Sequence, residues 1–74
     1  MELRYTAHAR RQIQRRQIAH AEIEAVVESG AARVGETAVE YDGVIRGRLA
    51  RVVVVRNADP PLVITVHWLG RRER

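Results

Sequence analysis

The sequence contains no cysteine, no phenylalanine and no lysine, and only two prolines. Without cysteine there is no disulfide scaffold, no thiolate zinc site and no cysteine nucleophile, and a reducing compartment is the natural setting. Long apolar runs are also missing. The longest, Val52 to Val55, falls far short of the roughly 20 residues a membrane helix requires. The first residues include Glu2 and Arg4 and no apolar segment, so no secretory leader is expected. A cytoplasmic location away from membranes follows as an expectation. Aromatics are scarce: Tyr5, Tyr41 and Trp68 offer few platforms on which single-stranded nucleic acid could stack. His8, His20 and His67 lack the spacing of a metal site, and no nucleophile elbow or glycine-rich phosphate loop occurs. No cofactor or metal is therefore expected.

Seventy-four residues suffice for one domain with one thin core, because a chain of this size buries only about 60% of its unfolded surface. What the sequence does have is arginine. All thirteen basic residues are arginine against nine acids, a net charge of +4 with a pI near 11.0. Guanidinium groups offer fixed, paired donors suited to phosphate or carboxylate. The positive excess favours a polyanionic partner, RNA first, with an acidic protein as the other option.

Thr6 can cap a helix from about Ala7 to Arg16 or Gln17, with Ala9 and Ile13 facing inward. A second helix spans about Ala19 to Ser29, with Ile23, Val26 and Val27 at helical spacing and Gly30 at the position of a left-handed cap. Thr37 to Asp42 alternates as a strand, and Asp42-Gly43 signals a turn. Leu49 to Arg56 reads as a central strand buried on both faces. Leu62 to Leu69 alternates strictly, with Val63, Thr65, His67 and Leu69 on one side. The four residues after Gly70 are expected to fray. The class is α+β: two N-terminal helices on a small antiparallel sheet.

On the first helix His8, Gln12 and Arg15 share a face, with Arg11 at its edge and Arg16 between that face and the core. A histidine beside guanidinium groups supplies a proton carrier and cations for a phosphodiester reaction. The same residues also make an ordinary solvated basic face. Thr65 and His67 share one strand face. Arg51, inside an apolar strand, needs an anion: either Glu40 on the neighbouring strand or a phosphate. His20 is expected to face solvent, one turn from Glu24.

Tyr5-Thr6-Ala7-His8-Ala9, then Ile13, Arg16, Ile18 and Glu22-Ile23, the valine strand and Ile64-Thr65-Val66 resemble the domain family DUF4258. Its usual opening is Y-T-x-H-A-x-x-R-M-x-x-R-G-I. This chain departs from the pattern at Gln12, where arginine is usual, at Gln17, where glycine is usual, and at His67, where tyrosine is common. The family looks like a relative of the RelE/ParE-type toxins, which implies two helices on a curved antiparallel sheet. The resemblance further implies a toxin-type, metal-independent endoribonuclease, with His8 as proton carrier, Arg16 and Arg51 nearest the scissile phosphate and Thr65 orienting it. His67 joins these as a candidate, and Arg11, Gln12, Arg15 and Arg48 are the candidate RNA contacts. Implied partners are RNA, ribosome-associated or free, and a cognate antitoxin. The alternative is a non-catalytic RelE/ParE-like module that binds protein. The outward valines of the central strand point to a homodimer or an obligate partner.

Overall fold

A computed structural model describes residues 1–70, so the expectation of a fraying tail lies outside the described residues. The chain runs β1 (Arg4–Tyr5), α1 (Ala7–Arg16), α2 (His20–Ser29), β2 (Ala31–Val34), β3 (Ala38–Ile45), β4 (Arg48–Val55) and β5 (Leu62–Trp68). The strands form one sheet in the order β1-β5-β4-β3-β2. Four strands are antiparallel to their neighbours, but β1 lies parallel to β5, so the sheet is mixed and not purely antiparallel. Neither β1 nor β2 was legible as a strand, because two and four residues are too short for a period to emerge.

Both helices lie on one face, α1 against β5 and α2 against β3. Ala9, Ile13, Ile18, Ile23, Val26 and Val27 meet Ile45, Ala50, Val52, Val54, Val63 and Val66 in a single core. The β4 strand is therefore buried on one face, not two: Ala50, Val52 and Val54 are buried, while Val53 and Val55 are half-buried on the open face. The outward valines are thus less bare than the homodimer expectation assumed. The exposed apolar pair on that face is Val44 (68% exposed) opposite Leu49 (47% exposed), near the hairpin tip.

Three local expectations change. Asp42-Gly43 is not a turn. It lies inside β3, where Asp42 pairs across from Arg51 and Gly43 meets Val26 of α2. The two-residue turn falls instead at Arg46 (φ 50°) and Gly47 (φ 82°), the double positive φ that matches the twist of a tight hairpin. Strict alternation in β5 fails because the register shifts between Val53 and Val54, which turns both Val63 and Val66 toward the helices. Gly30 is extended (φ −74°), and the left-handed cap is Gln17 of α1 (φ 54°).

Thr6 caps α1 as expected, its Oγ1 accepting from the Ala9 N–H at 3.1 Å. Glu22 Oε1 accepts from the Ala19 N–H at 2.8 Å and so caps α2 from inside. Its other oxygen pairs with Arg46 Nε at 3.0 Å, and Arg46 Nη2 donates to the Gln17 carbonyl at 2.9 Å. The hairpin tip is thereby tied to the junction between the helices.

A non-glycine residue in the left-handed region costs about 1–2 kcal/mol, partly offset by glycine's extra unfolded-state entropy of about 0.5–1 kcal/mol. Gln17→Gly should therefore stabilise the protein by about 0.5–1 kcal/mol, read as a higher urea midpoint with an unchanged slope. A lower midpoint would show that the Gln17 side chain contributes more than its backbone strain.

Candidate nucleic-acid interface

The arginines divide into two groups by their partners. Arg33, Arg46 and Arg51 are in ion pairs. Among the described residues no carboxylate lies within ion-pair distance of Arg10, Arg11, Arg15, Arg16 or Arg48. Four of these are on α1, and Arg15 and Arg16 occupy its last turn, where cations complement the helix dipole. Arg11 and Arg15 are exposed, one turn apart.

The sequence-derived candidates fall into three places. His8 is exposed on α1, and among the described residues it makes no hydrogen bond or ion pair. Gln12, one turn further, is committed to the sheet: its Oε1 accepts from the Val66 N–H at 2.9 Å. Arg51, Thr65 and His67 lie on the open face, with Arg51 directly across from His67 and Thr65 across from Val53. The helix layer lies on the other face of the sheet. The structure does not gather His8, Arg51, Thr65 and His67 around one point.

Arg51 takes up a carboxylate, and mainly a different one from that expected. Its Nε and Nη2 donate to Asp42 Oδ1 and Oδ2 at 2.8 and 3.0 Å, while Glu40 stands further off at 3.7 Å. Register explains the preference, since Asp42 is the residue directly opposite Arg51. Arg33 adds contacts to Glu40 at 3.2 Å and to Asp42 at 3.9 Å. The Arg51 hydrogen bond holds the Asp42 carboxyl below its ordinary value of 3.8, helped by the charges of Arg51, Arg33 and His67 against the effect of burial.

The sign of that linkage is set by the depressed folded value. Asp42 contributes stability above the unfolded carboxyl range near pH 4 and loses it as pH falls through the lower folded value. Asp42→Asn should therefore flatten the dependence of the urea midpoint on pH below about 4, where unfolded aspartate titrates. An acid limb as steep as that of the parent would remove Asp42 from the account.

Arg48 and Trp68 form a third place, on the helix side of the sheet. Trp68 pairs across from Ala50, and Arg48 lies two residues from Ala50 on the same face. This brings the Arg48 guanidinium carbon 4.2 Å from the centre of the Trp68 ring. Arg48 Nε is buried without a hydrogen-bond partner. Arg16, Ile45, Arg46, Arg48 and Trp68 line a cavity of about 280 Å³. In the sequence Trp68 stands only as a strand residue and as one of three scarce aromatics, and nothing there singles out Arg46. Their meeting depends on the hairpin register, which a turn at Asp42-Gly43 would have misplaced.

His20 is exposed as expected, but its ring stacks on Tyr5 with centroids 4.5 Å apart and planes 19° apart. Burial pushes the Tyr5 hydroxyl up, and the charge of Glu24 adds to it. Among the described residues no group of three or more His, Cys, Asp or Glu side chains could hold a metal ion. No helix there is long and apolar enough to cross a membrane.

A family model described as "Domain of unknown function (DUF4258)" matches residues 5–68, from the Tyr5 strand through Trp68. No curated protein and no solved structure matches the chain.

Proposed function

Since the chain belongs to the DUF4258 family, we propose from the geometry that it is a toxin-type protein that binds RNA along α1 and cleaves it without a metal. The observation that carries this reading is a set of arginines without carboxylate partners among the described residues: Arg11 and Arg15 on α1, which also carries the exposed His8, and Arg16 and Arg48 together at the end of the helix. Arg33, Arg46 and Arg51 are paired with carboxylates. The guanidinium groups on α1 remain available to phosphate. Kinship with the RelE/ParE-type toxins rests on the opening motif and on the two-helix layer, and it brings a cognate antitoxin as the expected inhibitor.

In the proposed reaction the RNA 2′-oxygen bonds to the adjacent phosphorus while the bond from phosphorus to the 5′-oxygen breaks. One proton leaves the 2′-hydroxyl and one is delivered to the 5′-oxygen. His8 is the proton carrier on the same helix as Arg11 and Arg15, and the arginines hold the phosphorane charge. Arg51 is less suited to that task than the resemblance implies, because Asp42 already occupies two of its donors. This same neutralisation, with the engagement of Gln12, favours the second reading: a non-catalytic module that holds an acidic protein on the α1 arginines.

RNA affinity should fall steeply with salt, by about one unit of log–log slope per phosphate contacted. Reversing Arg11 and Arg15 to glutamate should lower that slope by about two units, one for each lost contact. The fold should persist, since both side chains are exposed. Binding measured by fluorescence anisotropy across a salt series tests it. An unchanged slope in the double variant would overturn the α1 surface.

A further inference from the structure

Two of the arginines in the scheme above, Arg16 and Arg48, share a cavity between the end of α1 and the β3–β4 hairpin. Among the described residues it is lined by three arginines, a tryptophan and Ile45, with no carboxylate. One of the three is spent, since Arg46 is held by Glu22 and by the Gln17 carbonyl. Arg16 and Arg48 are not, and Arg48 retains a buried Nε donor with no acceptor, a group that native structures rarely leave unmet. The Arg48 guanidinium covers one face of the Trp68 ring, so a cation and an aromatic ring stand together among the lining residues. Nucleobases stack on aromatic rings and guanidinium planes alike.

We propose that this cavity binds one nucleoside monophosphate unit of a single-stranded RNA, the base lying against the Arg48–Trp68 pair and the phosphate held by Arg16. The volume of about 280 Å³ is sufficient for one such unit. Resting on the RNA-binding reading, the proposal adds a subsite that demands an unpaired base. A strand lying along Arg11 and Arg15 reaches it at the C-terminal end of α1, where Arg16 is the last helical residue.

Trp68 is the sole tryptophan, so its emission reports on the cavity directly. The titrants are adenosine 5′-monophosphate, inorganic phosphate, adenosine, a glutamate-rich peptide, and single-stranded and duplex oligoribonucleotides. A saturable change is expected with the monophosphate, about tenfold tighter than with phosphate, the contribution of one stacked base, and about tenfold tighter than with adenosine, the contribution of one charge-assisted phosphate contact. The single strand should displace the monophosphate and the duplex should not. Arg16→Gln should weaken the monophosphate by about tenfold, as loss of one charge-assisted contact does. Arg48→Gln should do the same, with circular dichroism confirming that both variants are folded.

Equal affinity for phosphate and monophosphate would reduce the cavity to a plain anion site and overturn the proposal. So would no saturable change, tighter binding of the acidic peptide, or a monophosphate that the single strand cannot displace. The two failures are distinguishable. RNA that binds through Arg11 and Arg15 without touching Trp68 emission sinks the subsite alone. A monophosphate that binds to a protein with no affinity for longer RNA sinks the RNA-binding reading and this RNA subsite with it.

Discussion

His8→Ala should lower the rate of RNA cleavage by about 10² to 10⁴-fold, the range that a general acid–base residue contributes, with little change in RNA affinity. The separation follows from the chemistry of the two side chains involved. Arginine stays charged at every accessible pH and serves ground state and transition state alike, so its loss weakens binding. An imidazole has one nitrogen that can accept a proton and one that can donate, so its loss falls on the rate. Cleavage should continue in EDTA and leave a 2′,3′-cyclic phosphate. The assay is an end-labelled RNA incubated with the parent and the variant, with and without chelator. A parent that cuts nothing, or a variant that cuts as fast, would leave the protein-binding module as the better reading. Growth arrest on induced expression, relieved by a co-expressed neighbouring gene product, would then separate a toxin from an inert adaptor.

Gly30→Ala should cost about 3 kcal/mol, the upper part of the usual range for forcing extra atoms into a packed site. The backbone there is extended, so conformational freedom is not the reason. A Cβ would stand 2.4 Å from the Val26 carbonyl oxygen and 2.7 Å from that of Asp42. Both are main-chain atoms that cannot swing aside. The end of α2 would have to lift from β3, breaking the 2.7 Å bond from the Gly30 N–H to the Val26 carbonyl. Replacing glycine ordinarily stabilises by about 0.4–1 kcal/mol through the unfolded chain, which is too little to offset this. A protein of this length holds roughly 4–11 kcal/mol in all, so the thermal midpoint should drop by about 15 °C. Ser29→Ala, one residue earlier and exposed, is the control and should shift stability by under about 1 kcal/mol. A Gly30→Ala midpoint that matches the control would show that α2 can move without penalty.

The helices were legible in the sequence because their signals are local. Thr6 caps, Ala9 and Ile13 share a face, and Ile23, Val26 and Val27 repeat at helical spacing, all within one turn or two. The sheet depended on pairings that no local signal carries. Asp42-Gly43 has turn chemistry, yet Asp42 is held in β3 by Arg51 nine positions on, and the turn passes to Arg46-Gly47. That displacement of the hairpin also hid the Arg48–Trp68 pair, whose contact is set by register. The bulge opposite Val53 and Val54 likewise left the pattern of β5 readable as simple alternation. Among the candidate residues, Arg11 and Arg15 could be placed from helical phase alone. Arg51 and Gln12 could not, since their partners lie across the sheet.

The Gln12 side chain has a consequence for how the sheet can grow. β1 covers β5 for only two residues, and beyond it Gln12 takes the Val66 N–H that an added strand would use. Arginine, the usual residue there in the DUF4258 pattern, carries donors only and could not accept that bond. On the opposite border the four residues of β2 are exposed, and among the described residues no side chain bonds to their backbone. The two borders are therefore unlike, one blunted and one open. Strand addition is confined to the open side, and a second copy meeting it there would use up both open borders at once. Such an assembly closes as a symmetric pair and has no free end from which a fibre could extend.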